Sequence, residues 1–340
     1  VPRTFRAFIL LVLPLFLGAV PGPASAEETR SDAIVERFRD ANAWRGHVMV
    51  VAHRGGWMED GEIRLAENSL SALERAVELG VEMIEVDVQV SRDGEFVVLH
   101  DTSLDRTTTC KGEAADKPLA EIRQCRLVVE GTGEVTGERV PTLRELLSAA
   151  KDRVMVNLDS KLGIENLTAM IAMARELGMA DQIVSKAYVD TPEKLAAALE
   201  VHRATGDDIQ FMPQLSDEVV ADLAPFEAAV RELTPEAAEL RNAYETGEPL
   251  TADGGLFFRA ESRALAARYD LHLWINTLYD DTRNGMRSGG RGDEMAVRAD
   301  LPGEVWGFWA EQGATMIQTD EPKAAIAWLE ANGYRIPYED

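Results

Sequence analysis

Cysteine is nearly absent. Two residues, Cys110 and Cys125, occur among 340, too few and too widely spaced for a thiolate-held metal. Beyond the N-terminal stretch there is no apolar run of 18 residues, so the body of the sequence offers no membrane-spanning helix. No cysteine follows the N-terminal apolar run, which argues against a lipid anchor. The glycine-rich dinucleotide fingerprint is missing as well: "HRGG" after the first candidate strand is too short and lacks the third glycine. Positive charge is scarce. Lys and Arg number 35 against 59 Asp and Glu, a formal charge of −24. Such a surface repels nucleic acid and anionic membranes and attracts divalent cations. By itself it names no substrate.

The N-terminus follows a logic of its own. In "VPRTFRAFILLVLPLFLGAVPGPASAEE", Arg3 and Arg6 precede an apolar run over residues 7–17, and Ala24, Ser25 and Ala26 supply a small-residue cleavage site. Residues 1–26 therefore read as a secretory signal peptide. A membrane anchor is the alternative, but the apolar core is short for a bilayer. The expected location is periplasmic or secreted, with no stable membrane anchor after cleavage. Losing the two arginines takes the formal charge to −26. Disulfides persist in such compartments, and a Cys110–Cys125 bridge would close a loop of about 15 residues. Two inert thiols are the alternative.

An amphipathic helix is expected within residues 27–46. After it, strand-like and helix-like segments alternate. Strand candidates lie at 47–53, 83–88, 154–159, 183–187, 209–215, 241–245, 271–277 and 314–319. Between them, "NSLSALERAVELG" puts Leu70, Leu73 and Val77 on one face and stops at Gly80. Thr191 and Pro192 mark a helix start, and Thr234 and Pro235 repeat the device. "EPKAAIAWLEANG" reads as the last helix. Eight strands alternating with helices imply a single-domain α/β (β/α)8 TIM barrel over residues 47–340. An open doubly wound sheet is the alternative.

The strand "MIEVDVQV" carries Glu85, Asp87 and Gln89 on one face and Ile84, Val86 and Val88 on the other. In a barrel the aliphatic face meets the helices and the carboxylates point inward, about 6–7 Å apart along the strand. Asp93 and Gly94 mark a two-residue hairpin turn. With that turn Asp87 faces His100, with Cβ atoms about 5 Å apart. His53 and Arg54 close the first strand. The third ends with Asn157, Asp159 and Lys161 on one face. Polar residues thus gather at the C-terminal strand ends, where such barrels keep their active sites. Glu85, Asp87, Asp159 and Glu67 converge with only Arg54 and Lys161 to offset them. An all-oxygen site with surplus negative charge suits one hard dication, Ca2+ or Mg2+. A carboxylate–Arg/Lys network without metal is the alternative. Of the five histidines, His47 and His202 are expected at the surface and His272 in a structural role. His53 and His100 stand beside the acidic cluster.

Five ordered motifs resemble the glycerophosphodiester phosphodiesterase family: "AHRG" (52–55), "AENSLSALERAVELGVEMIEVDVQVSRDGEFVVLHDTSLDRTT" (66–108), "VPTLRELL" (140–147), "NLDSK" (157–161) and "QTDEP" (318–322). The resemblance spans most of the chain past residue 46 and is dense in its first third. It implies a (β/α)8 barrel that hydrolyses a small-molecule glycerophosphodiester to glycerol phosphate and an alcohol with a divalent metal. It implies that His53 and His100 are catalytic and that Glu85 and Asp87 bind the metal, with Asp159 at a third position and Glu67 in the Glu-Asn motif. Arg54 is expected on the phosphate, with Lys161 assisting, and Trp274 and Asn276 are candidate substrate contacts. The sequence departs from the family pattern at Asp159, where Glu is common, and at Ala66, where Pro is usual. The first loop, 57–65, is long, and Cys110 replaces a more usual polar residue. Arg283, Arg287 and Arg291, in a long loop over residues 279–300, are candidates for head-group recognition, a solvated loop being the plainer reading. Two other functions stay open: a lipid-directed barrel of phospholipase D or phosphoinositide-cleaving type, and a periplasmic phosphodiester-binding protein without catalysis.

Overall fold

Eight short segments pair in parallel and close on themselves. They are β1 (Met49–Ala52), β2 (Met83–Val90), β3 (Met155–Ser160), β4 (Ile183–Tyr188), β5 (Gln210–Ser216), β6 (Ala237–Arg241), β7 (His272–Asn276) and β8 (Met316–Thr319). Each strand pairs with the next, and β1 pairs with both β2 and β8. The computed structural model describes residues 29–206, 209–245, 247–279 and 288–338. The proposed leader at 1–26 and Arg283 and Arg287 lie outside them.

Alternation explains the two cores. Val50, Ile84, Val86, Val156, Leu158, Leu240, Ile275 and Ile317 point outward and pack under the helices. The inward positions at the N-terminal end are also apolar. Met49, Val51, Met83, Met155, Val184, Met212, Trp274 and Met316 fill the barrel floor. Ile34, Val35 and Phe38 of the helix Arg30–Arg39 seal that floor from below. Each such side chain contributes about 1.5–3 kcal/mol of burial. One step up the same faces the residues turn polar: Glu85, Asn157, Lys186, Gln214, Glu239, Asn276 and Gln318, all buried. The floor excludes water and the layer above it holds the chemistry.

Four expectations need correction. First, the sixth strand is Ala237–Arg241 rather than 241–245, and Thr234 starts no helix. Its φ of +44° ends the helix Ala224–Leu233, with its N–H donating to Val230 O. Alanine-rich "AAEL" favours helix by propensity, but parallel pairing to β5 and β7 overrides it. Second, β2 pairs Val88 with Val98, Gln89 with Val97 and Val90 with Phe96, one residue out of the expected register. The turn has three residues, 92–94. Ser91 N donates to Glu95 O at 2.9 Å, and Gly94 takes the φ of +86° that this turn needs. The ladder stops at Val98, so His100 comes from the bend that follows, not from a position facing Asp87.

Third, His47 is wholly buried: its Nδ1 accepts from Ile336 N at 2.9 Å and its Nε2 lies 3.4 Å from Glu82. It belongs to a cluster beneath the barrel in which Arg335 meets Glu82 at 2.8 Å and Arg37 stacks on Trp44 and Tyr338. Fourth, His202 is half-buried beside Phe211. His272 is structural as expected, buried between Thr315 Oγ1 and the carbonyl of Arg37. Cys110 and Cys125 form a disulfide in the excursion between β2 and β3, which has a small core of its own around Leu104, Ile122 and Leu127.

Candidate active site

Where β1 ends, the chain turns sharply through His53, Arg54, Gly55 and Gly56. Arg54 adopts a left-handed φ of +50°, a strained conformation for a side-chain-bearing residue. Gly55 follows at φ +86°, and a Cβ there would sit 3.2 Å from that of Ala72. The turn aims both His53 and Arg54 into the barrel mouth. His53 Nδ1 lies 2.7 Å from Asp320 Oδ1, just past β8, and its Nε2 lies 3.9 Å from Glu85. His100 has a parallel arrangement, with Nδ1 2.8 Å from Asp101 Oδ1. Each imidazole thus has one nitrogen engaged by a carboxylate and the other left for chemistry. Both rings act electrostatically on Asp87.

Between them, Glu85, Asp87 and Asp159 each bring a carboxylate oxygen within 4.8 Å of the others. β2 and β3 set Asp87 directly beside Asp159 in register. Asn68 clamps Asp87, its Nδ2 donating to Oδ2 at 2.8 Å and its Oδ1 accepting from Asp87 N at 3.1 Å. Lys161 Nζ sits 2.9 Å from Asp87 Oδ1 and 3.0 Å from Asp159 Oδ2. Burial by itself would raise the Asp87 carboxyl, but Lys161 and Arg54 outweigh it and hold it well below the usual range. Glu85 behaves oppositely. Burial, then the Asp87 charge, push it up to about 7.

These residues suit a hard dication. The donors are all oxygen and largely buried, and burial together with the neighbouring Asp87 charge raises the Glu85 carboxyl, so more negative charge is gathered here than Lys161 and Lys186 offset. The cluster can therefore hold a divalent cation.

Other expected residues fall elsewhere. Glu67 is not in the cluster: Arg54 NH1 donates to it at 2.7 Å, and Arg106 meets both its oxygens at 2.8 Å. Trp274 is wholly buried on the barrel floor, so it is no substrate contact. Its indole N–H donates to Asn276 Oδ1 at 2.7 Å, and Asn276 Nδ2 donates to Glu239 at 2.8 Å. Asn276 thus orients Glu239. Arg291 is a staple, donating to Thr251 O and Glu304 and lying over Phe308.

Several residues of the site escaped the sequence reading. Lys186 on β4 lies 3.1 Å from Glu239, 3.6 Å from Asp159 and 4.0 Å from Glu85. Its inward phase in "IVSKAY" was the available signal. Asp320 stands inside "QTDEP" and Asn68 inside "AENSL", and neither role has a local signature. Asp320 also accepts from Trp57 Nε1 at 3.0 Å and Tyr279 N at 3.0 Å. Behind it, Asp293 accepts from Asp320 N, Thr319, Thr277 and Trp306.

Comparison with known proteins follows these positions. The sequence model of the "Glycerophosphoryl diester phosphodiesterase family" matches residues 53–218, and one described only as a domain of unknown function matches 252–329. The chain is 40% identical over 117 residues to a glycerophosphodiester phosphodiesterase of Caldanaerobacter subterraneus subsp. tengcongensis, covering 34% of this chain and 46% of that one. A Bacillus altitudinis glycerophosphodiester phosphodiesterase is 35% identical over 120 residues, again covering 34% of this chain and 46% of the relative. The matched stretch thus spans about half the length of these curated relatives. A crystal structure of a glycerophosphoryl diester phosphodiesterase from Parabacteroides distasonis superposes with a TM-score of 0.66 at 18% identity, over 91% of this chain and 94% of that one. That likeness speaks for the fold. The sequence match over residues 53–218 runs through His53, Glu85, Asp87, His100 and Asp159, so the resemblance to the glycerophosphoryl diester phosphodiesterase family falls on the site itself.

Proposed function

We propose that this chain hydrolyses glycerophosphodiesters to glycerol phosphate and an alcohol. The observation that carries the reading is the pair of carboxylate-held imidazoles, His53 with Asp320 and His100 with Asp101, flanking a buried three-carboxylate cluster. Cleaving a phosphodiester requires neutralised charge, an activated oxygen nucleophile and a protonated leaving group. Arg54 and Lys161 bind the non-bridging phosphoryl oxygens. One imidazole takes a proton from the attacking oxygen as the new P–O bond forms, that oxygen being water's or the neighbouring glycerol hydroxyl's, the latter giving a cyclic phosphate that water then opens. The other gives a proton to the departing alcohol oxygen as the old bond breaks. Glu85, Asp87 and Asp159 hold one Ca2+ or Mg2+, which when bound would supply further positive charge to the phosphoryl oxygens. Asp320 and Asp101 fix the tautomer and orientation of the two rings. The disulfide and the leader-like residues 1–26 support a periplasmic or secreted location.

The test is direct. The chain expressed from Glu27 is given glycerophosphocholine, and glycerol phosphate release is followed with and without EDTA. Release that EDTA abolishes and calcium or magnesium restores is the expected result. His53→Ala and His100→Ala should each abolish turnover with the melting curve preserved. No release from any glycerophosphodiester overturns the reading.

A further inference from the structure

At the barrel mouth nearly every cation has a carboxylate. Lys161 is paired with Asp87 and Asp159, Lys186 with Glu239, Arg54 with Glu67, and Arg106 with Glu67, Asp101 and Glu130. Arg241 is different. It ends β6, points inward in phase with Glu239, and is only 9% exposed. Its NH1 donates to Tyr188 OH, and its buried Nε has no hydrogen-bond partner. No carboxylate lies within ion-pairing distance of it among the described residues. Asp217 acts on it only from farther off; its Oδ1 accepts from Ala243 N at 2.8 Å, and burial biases its carboxyl toward the neutral form. A guanidinium so deeply buried without a counter-charge is costly. In a chain of formal charge −24 its isolation is all the more unusual.

Its position suggests what it meets. Asp159 lies 3.6 Å from Lys186, and Lys186 lies 3.1 Å from Glu239. Arg241 stands two residues above Glu239 on the same face, about 6–7 Å nearer the solvent. Tyr188, 36% exposed, lies at the rim with Arg241 and Lys194 near its ring. With NH1 engaged by Tyr188, the Nε and NH2 edge remains, and that fork fits two oxygens of one phosphate.

We infer that Arg241 and Tyr188 form a subsite for a second anion, a phosphate monoester carried on the leaving alcohol. The inference rests on the phosphodiesterase reading above and adds the substrate class. The preferred glycerophosphodiester then bears a phosphorylated head group, such as a phosphorylated polyol.

The experiment compares kcat/KM for glycerophosphoinositol 4-phosphate and glycerophosphoinositol in the parent, Arg241→Lys and Arg241→Met. The parent should favour the phosphorylated substrate by about 10- to 100-fold, the range of a charge-assisted contact. Arg241→Met should bring the ratio near one, mainly through KM, and Arg241→Lys should keep part of it. A parent ratio at or below one overturns the inference, and so does an equal fall for both substrates in Arg241→Met. The parent ratio needs no variant, so a misfolded Arg241→Met leaves the test standing. Calorimetry of inositol 1,4-bisphosphate against inositol separates the two claims. Binding that prefers the bisphosphate, weakens in Arg241→Lys and is lost in Arg241→Met, without turnover of any diester, sinks the hydrolase and keeps the subsite. Turnover without head-group preference does the reverse.

Discussion

His53 Nδ1 and Asp320 Oδ1 stand 2.7 Å apart although 267 residues separate them in sequence. Closure of the barrel between β1 and β8 brings them together. Asp320 is itself held by Trp57 Nε1 and Tyr279 N, so it fixes the ring rather than following it. Burial alone would raise its carboxyl, but the facing His53, with the Tyr279 N–H and Arg54, outweighs that and keeps it below the usual range.

Asp320→Asn should therefore leave the fold intact and still cut kcat. An amide keeps the size but can present its N–H to the imidazole, reversing the tautomer. The expected loss is about 10²- to 10⁴-fold in kcat, the span of a general acid–base contribution, with little change in KM. Steady-state kinetics beside a thermal melt check it. A KM effect alone would assign Asp320 to substrate binding.

Glu85 predicts how the cation-free protein responds to pH. Its carboxyl is raised to about 7 in the folded chain against an ordinary value of 4.5. Between those two values the unfolded chain releases this proton while the folded chain keeps it. This group's contribution therefore makes stability fall as pH rises across the window, with the cost fully present above it. A bound dication removes the cost by meeting the ionised form. The rise in melting temperature on adding calcium should accordingly be larger at pH 8 than at pH 5. An equal rise at both would mean that the ion does not bind at Glu85.

Much of this was legible because strands write their faces into sequence. The period of two in "MIEVDVQV" fixed which side of β2 carries the acids, and "NLDSK" did the same for β3. The floor could be inferred only in part, since Met and Trp at inward positions look like any apolar residue. Trp274 thus read as a substrate contact when it seals the barrel. The hairpin after β2 failed for a local reason: one extra residue in the turn shifts the register, and "RDGE" does not say how many residues turn. Lys186, Glu239 and Arg241 were missed because single charges in short strands look like surface positions until closure turns them inward. The second "TP" misled because proline follows helix ends as readily as it begins helices.

The disulfide should stabilise rather than catalyse. Cys110 and Cys125 are separated by 15 residues, within an excursion that also carries Arg106. That arginine joins Glu67, Asp101 and Glu130, and Asp101 holds His100. Cys125→Ser should cost about 3 kcal/mol of stability in the loop-entropy account, read as a lower urea midpoint. Dithiothreitol should lower the parent's midpoint toward that of the variant and leave the variant unmoved. A parent insensitive to complete reduction would show that the excursion's own apolar core suffices.

Lys186 and Glu239 offer the sharpest test of how the interior is balanced. Both are buried and 3.1 Å apart, and Lys186 also faces Asp159 and Glu85. Burial alone would lower the ammonium, but Asp159 and Glu239 outweigh it and raise it above the usual lysine range. Removing the lysine leaves its acids without their buried counter-charge. Lys186→Met should then destabilise the cation-free protein by about 3–5 kcal/mol, as breaking one side of a buried pair does. Two rescues are expected. Glu239→Gln in the same chain removes one orphaned charge and should recover part of the loss. Millimolar calcium should recover another part by neutralising Asp159 and Glu85 directly. The two rescues act on different carboxylates and should therefore add. A double variant no more stable than Lys186→Met would show that Glu239 is satisfied by Asn276 alone, and that Lys186 serves the acid cluster instead.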